Sequence, residues 1–257
     1  MPFTPAHVAA VLPVVGRRTR WVVPAAWVVG SMSPDLVYFT PLGWVRPQSH
    51  SITGLLTLDP AIGLAVLVAW WVVAAPAVRD QLPQPLRSRI GASEPPTPDR
   101  WPWVVVGLFA GSLTHVVWDA FTHHDGWVVR REPALDEPLL GAHPSYSVLQ
   151  DASGAVGLAI LAVWAVVALR RAAPVHDATG VLSVRERPVA GVTALALPLL
   201  LCAGLTALEV PGHAYLVNAL FLGFTRAVGI TAVVALAASG GWHLLRHRRR
   251  VGELASV

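Results

Sequence analysis

Residues 103–122 restrict the fold more than any other stretch. They form an almost wholly apolar run of about the length that crosses a bilayer as one helix, and the run closes on ionisable side chains. His115 and Asp119 stand four residues apart, on one helical face and one turn from each other. His123 falls close to the same stripe, with His124 and Asp125 after it, while the intervening Val116, Val117 and Trp118 are apolar. Ionisable groups at the end of a membrane helix are expensive to hold there and mark a site. An imidazole and a carboxylate on one face can hold a divalent metal. The same pair can instead hydrogen-bond to each other and pin two helices together, and an HxxxD spacing alone does not decide between the two.

The rest of the chain sets the context. It is 54% hydrophobic and 13% charged over 257 residues, against roughly 25% charge in a soluble domain. The reading is a polytopic membrane protein whose first partner is the lipid bilayer. The basic excess is all arginine, and arginines on the cytoplasmic ends of helices account for it without nucleic acid. Cys202 is the one cysteine, so no intramolecular disulfide forms. The N-terminus has no basic segment ahead of an apolar run, and no cleaved signal peptide is expected.

The expected fold class is all-α: a transmembrane helix bundle forming one integral membrane domain over 1–257. Apolar runs predict about five full spans, at 55–78, 103–122, 154–169, 189–210 and 215–245. Two shorter runs, 8–15 and 21–32, precede them. They form either a hydrophobic hairpin or a short tilted span, since a full crossing takes about twenty residues. Residues 79–100 hold Arg79, Arg87, Arg89 and Arg100 among prolines and read as an exposed, mobile loop. That loop, the loop 170–187 and the tail with Arg246, Arg248, Arg249 and Arg250 are basic, and they alternate correctly if all three are cytoplasmic. A multi-pass protein of the cell membrane with a cytoplasmic C-terminus follows. Loops 33–54, 123–153 and 211–214 then face outward, which gathers Asp35, His50, His115, Asp119, His123 and His124 in one outer layer.

Taken singly, several of these residues have plain roles. Asp35 follows Ser-Met-Ser-Pro and reads as a turn or cap residue. His50 lies between Ser49 and Ser51 just ahead of a helix that either serine can cap; a histidine there has no dipole reason to be charged and is free to be a ligand. His7, on a short apolar segment, reads as a packed histidine. His123 and His124 are either ligands or interfacial residues. Glu209 and His213 fall on the outer side and are weaker candidates for the same cavity.

The blocks PFTPAH (2–7), GSMSPD (30–35), SHS (49–51), GSLTHVVWDAFTHHDGW (111–127) and YSVLQDASGAVG (146–157) occur in an order that resembles the bacterial membrane family known as domain of unknown function 4184. The resemblance covers roughly residues 1–160. Thr114 stands where that pattern usually has serine. More distantly, the chain is similar to predicted membrane-bound metal-dependent hydrolases. Through that similarity His7, Asp35, His50, His115 and Asp119 become candidate ligands of a divalent metal, zinc on the histidine content. Such a site is expected to hydrolyse an ester or phosphoester of a lipid-like substrate at the outer face. His123 and His124 are the acid–base candidates, and Ser49, Ser51, Gln150 and Ser153 are supporting donors. The rival expectation is a non-enzymatic membrane protein: a structural polar network, a scaffold acting through 79–100, or a transporter. A transporter calls for helices broken at mid-membrane, and only Pro198 and Gly223 offer breaks.

Overall fold

A computed structural model describes residues 4–17, 19–174, 182, 186–212 and 216–255. The chain is nearly all α-helical. Its α-helices are α1 (Val8–Val15), α2 (Pro24–Gly30), α3 (Arg46–Ser49), α4 (Ile52–Leu56), α5 (Leu58–Ala69), α6 (Ala75–Gln81), α7 (Gln84–Arg87), α8 (Trp101–Thr122), α9 (Ser145–Arg171), α10 (Glu186–Glu209) and α11 (Leu216–Ala255). A two-stranded antiparallel ribbon, β1 (Pro138–Leu140) with β2 (His143–Pro144), interrupts the loop before α9. Four helices among the described residues are long and apolar enough to cross a membrane: Leu58–Gln81, Pro98–Thr122, Ser145–Arg171 and Asn218–Gly252. The fifth expected span is helical as α10, of which Ala196–Glu209 forms a shorter apolar helix. The packing divides into two compact units, Met1–Leu67 with Pro96–Val167, and Val68–Pro95 with Ala168–Val257.

In the first unit the N-terminal segment is a hairpin. A 3-10 turn, Thr4–His7, leads into α1, and α2 opens on Pro24 at a first-turn position, where the missing N–H costs nothing. Val8, Val11 and Leu12 are buried against Trp27, Val28 and Met32. The return is tight enough for the Thr4 hydroxyl to donate to Asp35 Oδ2 at 2.6 Å. Behind the hairpin, α2 runs against α8 at a distance only small residues permit. A Cβ on Gly111 would sit 2.6 Å from the Trp27 carbonyl oxygen. Ser33 and Ser112 share a hydrogen bond of 2.8 Å, and Ser112 Oγ also donates to the Gly30 carbonyl at 3.1 Å. Small residues and hydroxyls are how helices meet in lipid, where burying an apolar side chain gains little.

The helix expected from Leu55 starts at Leu58, because Thr57 (φ −131°, ψ −67°) breaks α4 from α5. Further along, Trp70–Ala74 is a π-helical turn just ahead of Pro76, whose ring removes an N–H from the α-helical ladder.

In the second unit, α10 packs on α11 through small residues. Ala219 and Ala227 are buried, and at Gly223 between them a Cβ would meet the Thr206 backbone nitrogen at 2.6 Å. Pro198 lies inside a continuous α10, and Gly223 inside a continuous α11. Neither breaks its helix. The segment read as an open loop from residue 79 is folded at its start: α6 runs to Gln81, α7 follows, and Arg87 is buried with its guanidinium on Asp80 Oδ1 at 3.4 Å. Glu209 pairs with Arg226 in this unit, while His213 lies outside the described residues.

Candidate metal centre

The helix α8 presents His115 and Asp119 on one buried stripe with Gly111, Ser112 and Thr122. The 3-10 helix Ser33–Phe39 brings Asp35 to the same point, and the α3–α4 corner brings His50. One ligand atom from each of Asp35, His50, His115 and Asp119 lies within 4.8 Å of the other three. His115 and Asp35 are fully buried, and Asp119 is 5% exposed.

The separations fit a ligand set better than a hydrogen-bonded network. His50 Nε2 and His115 Nε2 each lie 3.4 Å from Asp119 Oδ2 and 3.6 Å from Asp35 Oδ1. A charge-assisted N–H···O bond spans about 2.7–2.9 Å. Zinc bonds of about 2.0–2.2 Å in a tetrahedron place neighbouring ligand atoms about 3.3–3.6 Å apart. Asp35 Oδ1, His50 Nε2, His115 Nε2 and both oxygens of Asp119 are buried and make no hydrogen bond. Such groups are costly to bury bare. The charges also fit, since two carboxylates and two neutral imidazoles balance one divalent cation.

The outward atoms of these ligands are held. His115 Nδ1 lies 2.8 Å from the Ser31 carbonyl oxygen and donates to it, so Nε2 carries the lone pair. His50 Nδ1 lies 3.0 Å from Ser49 Oγ and 3.3 Å from the Arg46 carbonyl. Ser49 Oγ in turn donates to the Pro34 carbonyl at 2.9 Å. This outer layer fixes ring orientation and tautomer, as it does in metal sites generally. Outside the spans, His50 is partly buried, which disfavours its proton, yet Asp119 and Asp35 raise its pKa above the usual histidine range. Asp35 is fully buried, and the neighbouring His115 and His50 hold its carboxyl well below the usual range.

The chain belongs to the family described as Domain of unknown function (DUF4184). The family match covers residues 1–240, beyond the blocks that carry the resemblance and through most of α11. No curated protein and no solved structure matches the chain.

Within this member of the family, the remaining expected site residues separate. His7 comes to the centre but not into the four-donor set. Its ring stacks on His115 with centroids 3.8 Å apart, and its Nε2 lies 3.5 Å from Asp119 Oδ1. His123 is extended, just past the end of α8, and its Nδ1 reaches Asp119 Oδ1 at 3.4 Å. The Gln150 amide lies 2.9 Å from His123 Nε2. His124 is exposed and lines an open surface cavity with Asp125, Arg130, Asp136 and Glu137. Ser51 caps α4, accepting from Gly54 N–H at 3.0 Å. Ser153 accepts from Trp118 Nε1 at 3.1 Å and braces that ring. Glu209 belongs to the second unit.

Sequence reasoning missed Thr4, the Ser31 carbonyl and Arg46. Arg46 forms a 2.8 Å ion pair with Asp125. Part-burial works against the Asp125 charge, but the Arg46 hydrogen bond overrides it and lowers that carboxyl's pKa. The family block PFT contained the Thr4 signal; a backbone carbonyl has none to give.

Proposed function

We propose that the chain is a membrane-embedded, metal-dependent hydrolase acting on an ester or phosphoester of a lipid-like substrate. The observation that carries this reading is the convergence of four bare, buried donor atoms at ligand spacing rather than hydrogen-bond spacing. Asp35, His50, His115 and Asp119 hold one divalent ion, and two imidazoles with two carboxylates suit zinc or manganese. Such an ion supplies Lewis-acid polarisation of a carbonyl or phosphoryl oxygen and makes water a better nucleophile near neutral pH.

The chain's own groups do the rest. Ser31 and Ser49 orient the two ligand rings. His123, held by Gln150, directs Nδ1 toward Asp119 and can pass a proton to the leaving oxygen. Water adds at the carbonyl carbon or phosphorus, the ester C–O or P–O bond breaks with its electron pair on the departing oxygen, and that oxygen takes the proton. The arginine distribution supports a cytoplasmic C-terminus and an outward-facing site within reach of lipid headgroups.

A structural polar network is the rival reading. It calls for donors paired to acceptors, and these atoms are not paired. The test is elemental analysis of detergent-purified protein with turnover of chromogenic esters and phosphodiesters, in wild type and His115→Ala. Stoichiometric metal and turnover, both lost in the variant, support the enzyme. A folded wild type that stays metal-free after metal is added back contradicts it.

A further inference from the structure

A cavity of about 20 Å³ adjoins the metal centre, lined by Thr4, His7, Asp119, Thr122, His123 and Gln150. About 10–15 Å³ is enough for one water, which also needs two to four polar partners. Ala6, Trp118 and Gly154 make part of the wall apolar, and a wholly apolar cavity stays dry, but polar side chains share this wall. His7 Nδ1 and Asp119 Oδ1 are buried and make no hydrogen bond. His123 and Gln150 supply further polar groups on the wall.

Asp119 divides the surroundings in two. Through Oδ2 it faces His50 and His115; through Oδ1 it faces His7 at 3.5 Å and His123 at 3.4 Å. The first side is the four-donor set. The second side forms no such set among the described residues, although both imidazoles approach the same oxygen. His7 therefore differs from the other histidines of the centre. It is nearly buried, stacked flat against a ligand ring, and outside the group of mutually close donors.

We propose that this cavity seats the hydrolytic water, and that His7 positions the water there without binding the metal. The inference rests on the hydrolase reading and adds the place from which water attacks. His7 is then a positioning residue, set by the same hairpin that carries Thr4 to Asp35. The cavity also has α9 as a wall, through Gly154. A larger side chain at that position takes up this space from α9, an element that carries none of the four candidate ligands.

The test uses the full-length protein in detergent: wild type, His7→Ala, His7→Gln and Gly154→Leu, with Gly154→Ala as the milder filling variant. Metal content, anomalous diffraction at the metal edge and turnover of bis-p-nitrophenyl phosphate and p-nitrophenyl esters are read together. The expected wild type carries one ion per chain. It shows one anomalous peak among Asp35, His50, His115 and Asp119, and solvent density without anomalous signal beside His7. His7→Ala keeps the ion and loses about 10²-fold in kcat with KM little changed, the lower end of what one positioned proton-handling group contributes. His7→Gln, which keeps a hydrogen-bonding end, recovers part of that loss. Gly154→Leu keeps the ion and loses the solvent density. Loss of the ion in His7→Ala overturns the proposal and makes His7 a ligand. A second anomalous peak in the cavity overturns it in favour of a second ion. A dry wild-type cavity, or equal kcat in wild type and His7→Ala, overturns it while leaving the metal centre standing. A metal-free wild type removes the hydrolase reading and this proposal together.

Discussion

Asp35 in the first unit and Asp80 in the second are both buried, and their surroundings are opposite. Asp80 is met by donors: Trp242 Nε1 at 2.8 Å, the Leu182 N–H at 2.9 Å and the Arg87 guanidinium at 3.4 Å. Asp35 has the Thr4 hydroxyl on Oδ2, while Oδ1 faces two imidazole nitrogens at 3.6 Å and accepts nothing. Burial alone therefore does not mark a site in this chain. A buried carboxylate ringed by N–H groups is a structural fastener. One whose free oxygen converges with bare nitrogens and a second carboxylate has the arrangement of a candidate cation site.

The contrast is open to experiment, and the largest effect is expected on the structural side. Asp80→Ala removes the buried carboxylate that meets Arg87, Trp242 and the Leu182 N–H and costs about 3–5 kcal/mol in stability, seen as a lowered unfolding midpoint. Metal content stays at the wild-type value, and a change in it breaks the distinction. Next comes chelation. An ion held at a free concentration about a thousand times its Kd contributes about 4 kcal/mol, so stripping it lowers the wild-type melting temperature. The same treatment leaves His115→Ala unmoved. A smaller effect is expected one layer out. Ser49→Ala removes the hydroxyl that orients His50 and weakens metal affinity by about 10–100-fold, measured by competition with a chromophoric chelator. The neighbouring serine sharpens the point: Ser51→Ala removes the α4 cap, costs about 1 kcal/mol and leaves metal affinity unchanged.

Much of this was legible in the sequence, for physical reasons that also explain the misses. The spacing of His115 and Asp119 fixes their common face, because helical periodicity is rigid over one turn. The apolar runs locate the long helices, although α9 begins nine residues before its apolar stretch, at Ser145, where polar residues continue the same helix. The meeting of Asp35, His50 and His115 was legible only as block order, since no periodicity relates segments some eighty residues apart. The two serines flanking His50 are equivalent in sequence, and only the corner between α3 and α4 assigns Ser49 to the ring and Ser51 to the cap. His7 matched a ligand pattern, and the structure brings it to Asp119 through Oδ1 rather than Oδ2, a difference of a few ångströms that a motif does not encode. Asp80 and Arg87 looked like loop charges because their partner Trp242 lies 162 residues away from Asp80 in the chain.

The central claim is that donor-free convergence makes a metal centre, and metal stoichiometry tests it most directly. Elemental analysis of purified wild type, His115→Ala, Asp119→Ala and Asp80→Ala, each shown to be folded and monodisperse, reads it in one experiment. The account predicts about one divalent ion per chain in wild type and Asp80→Ala, and none in the other two. Equal metal content in all four proteins, or none in any after metal is added back, contradicts it.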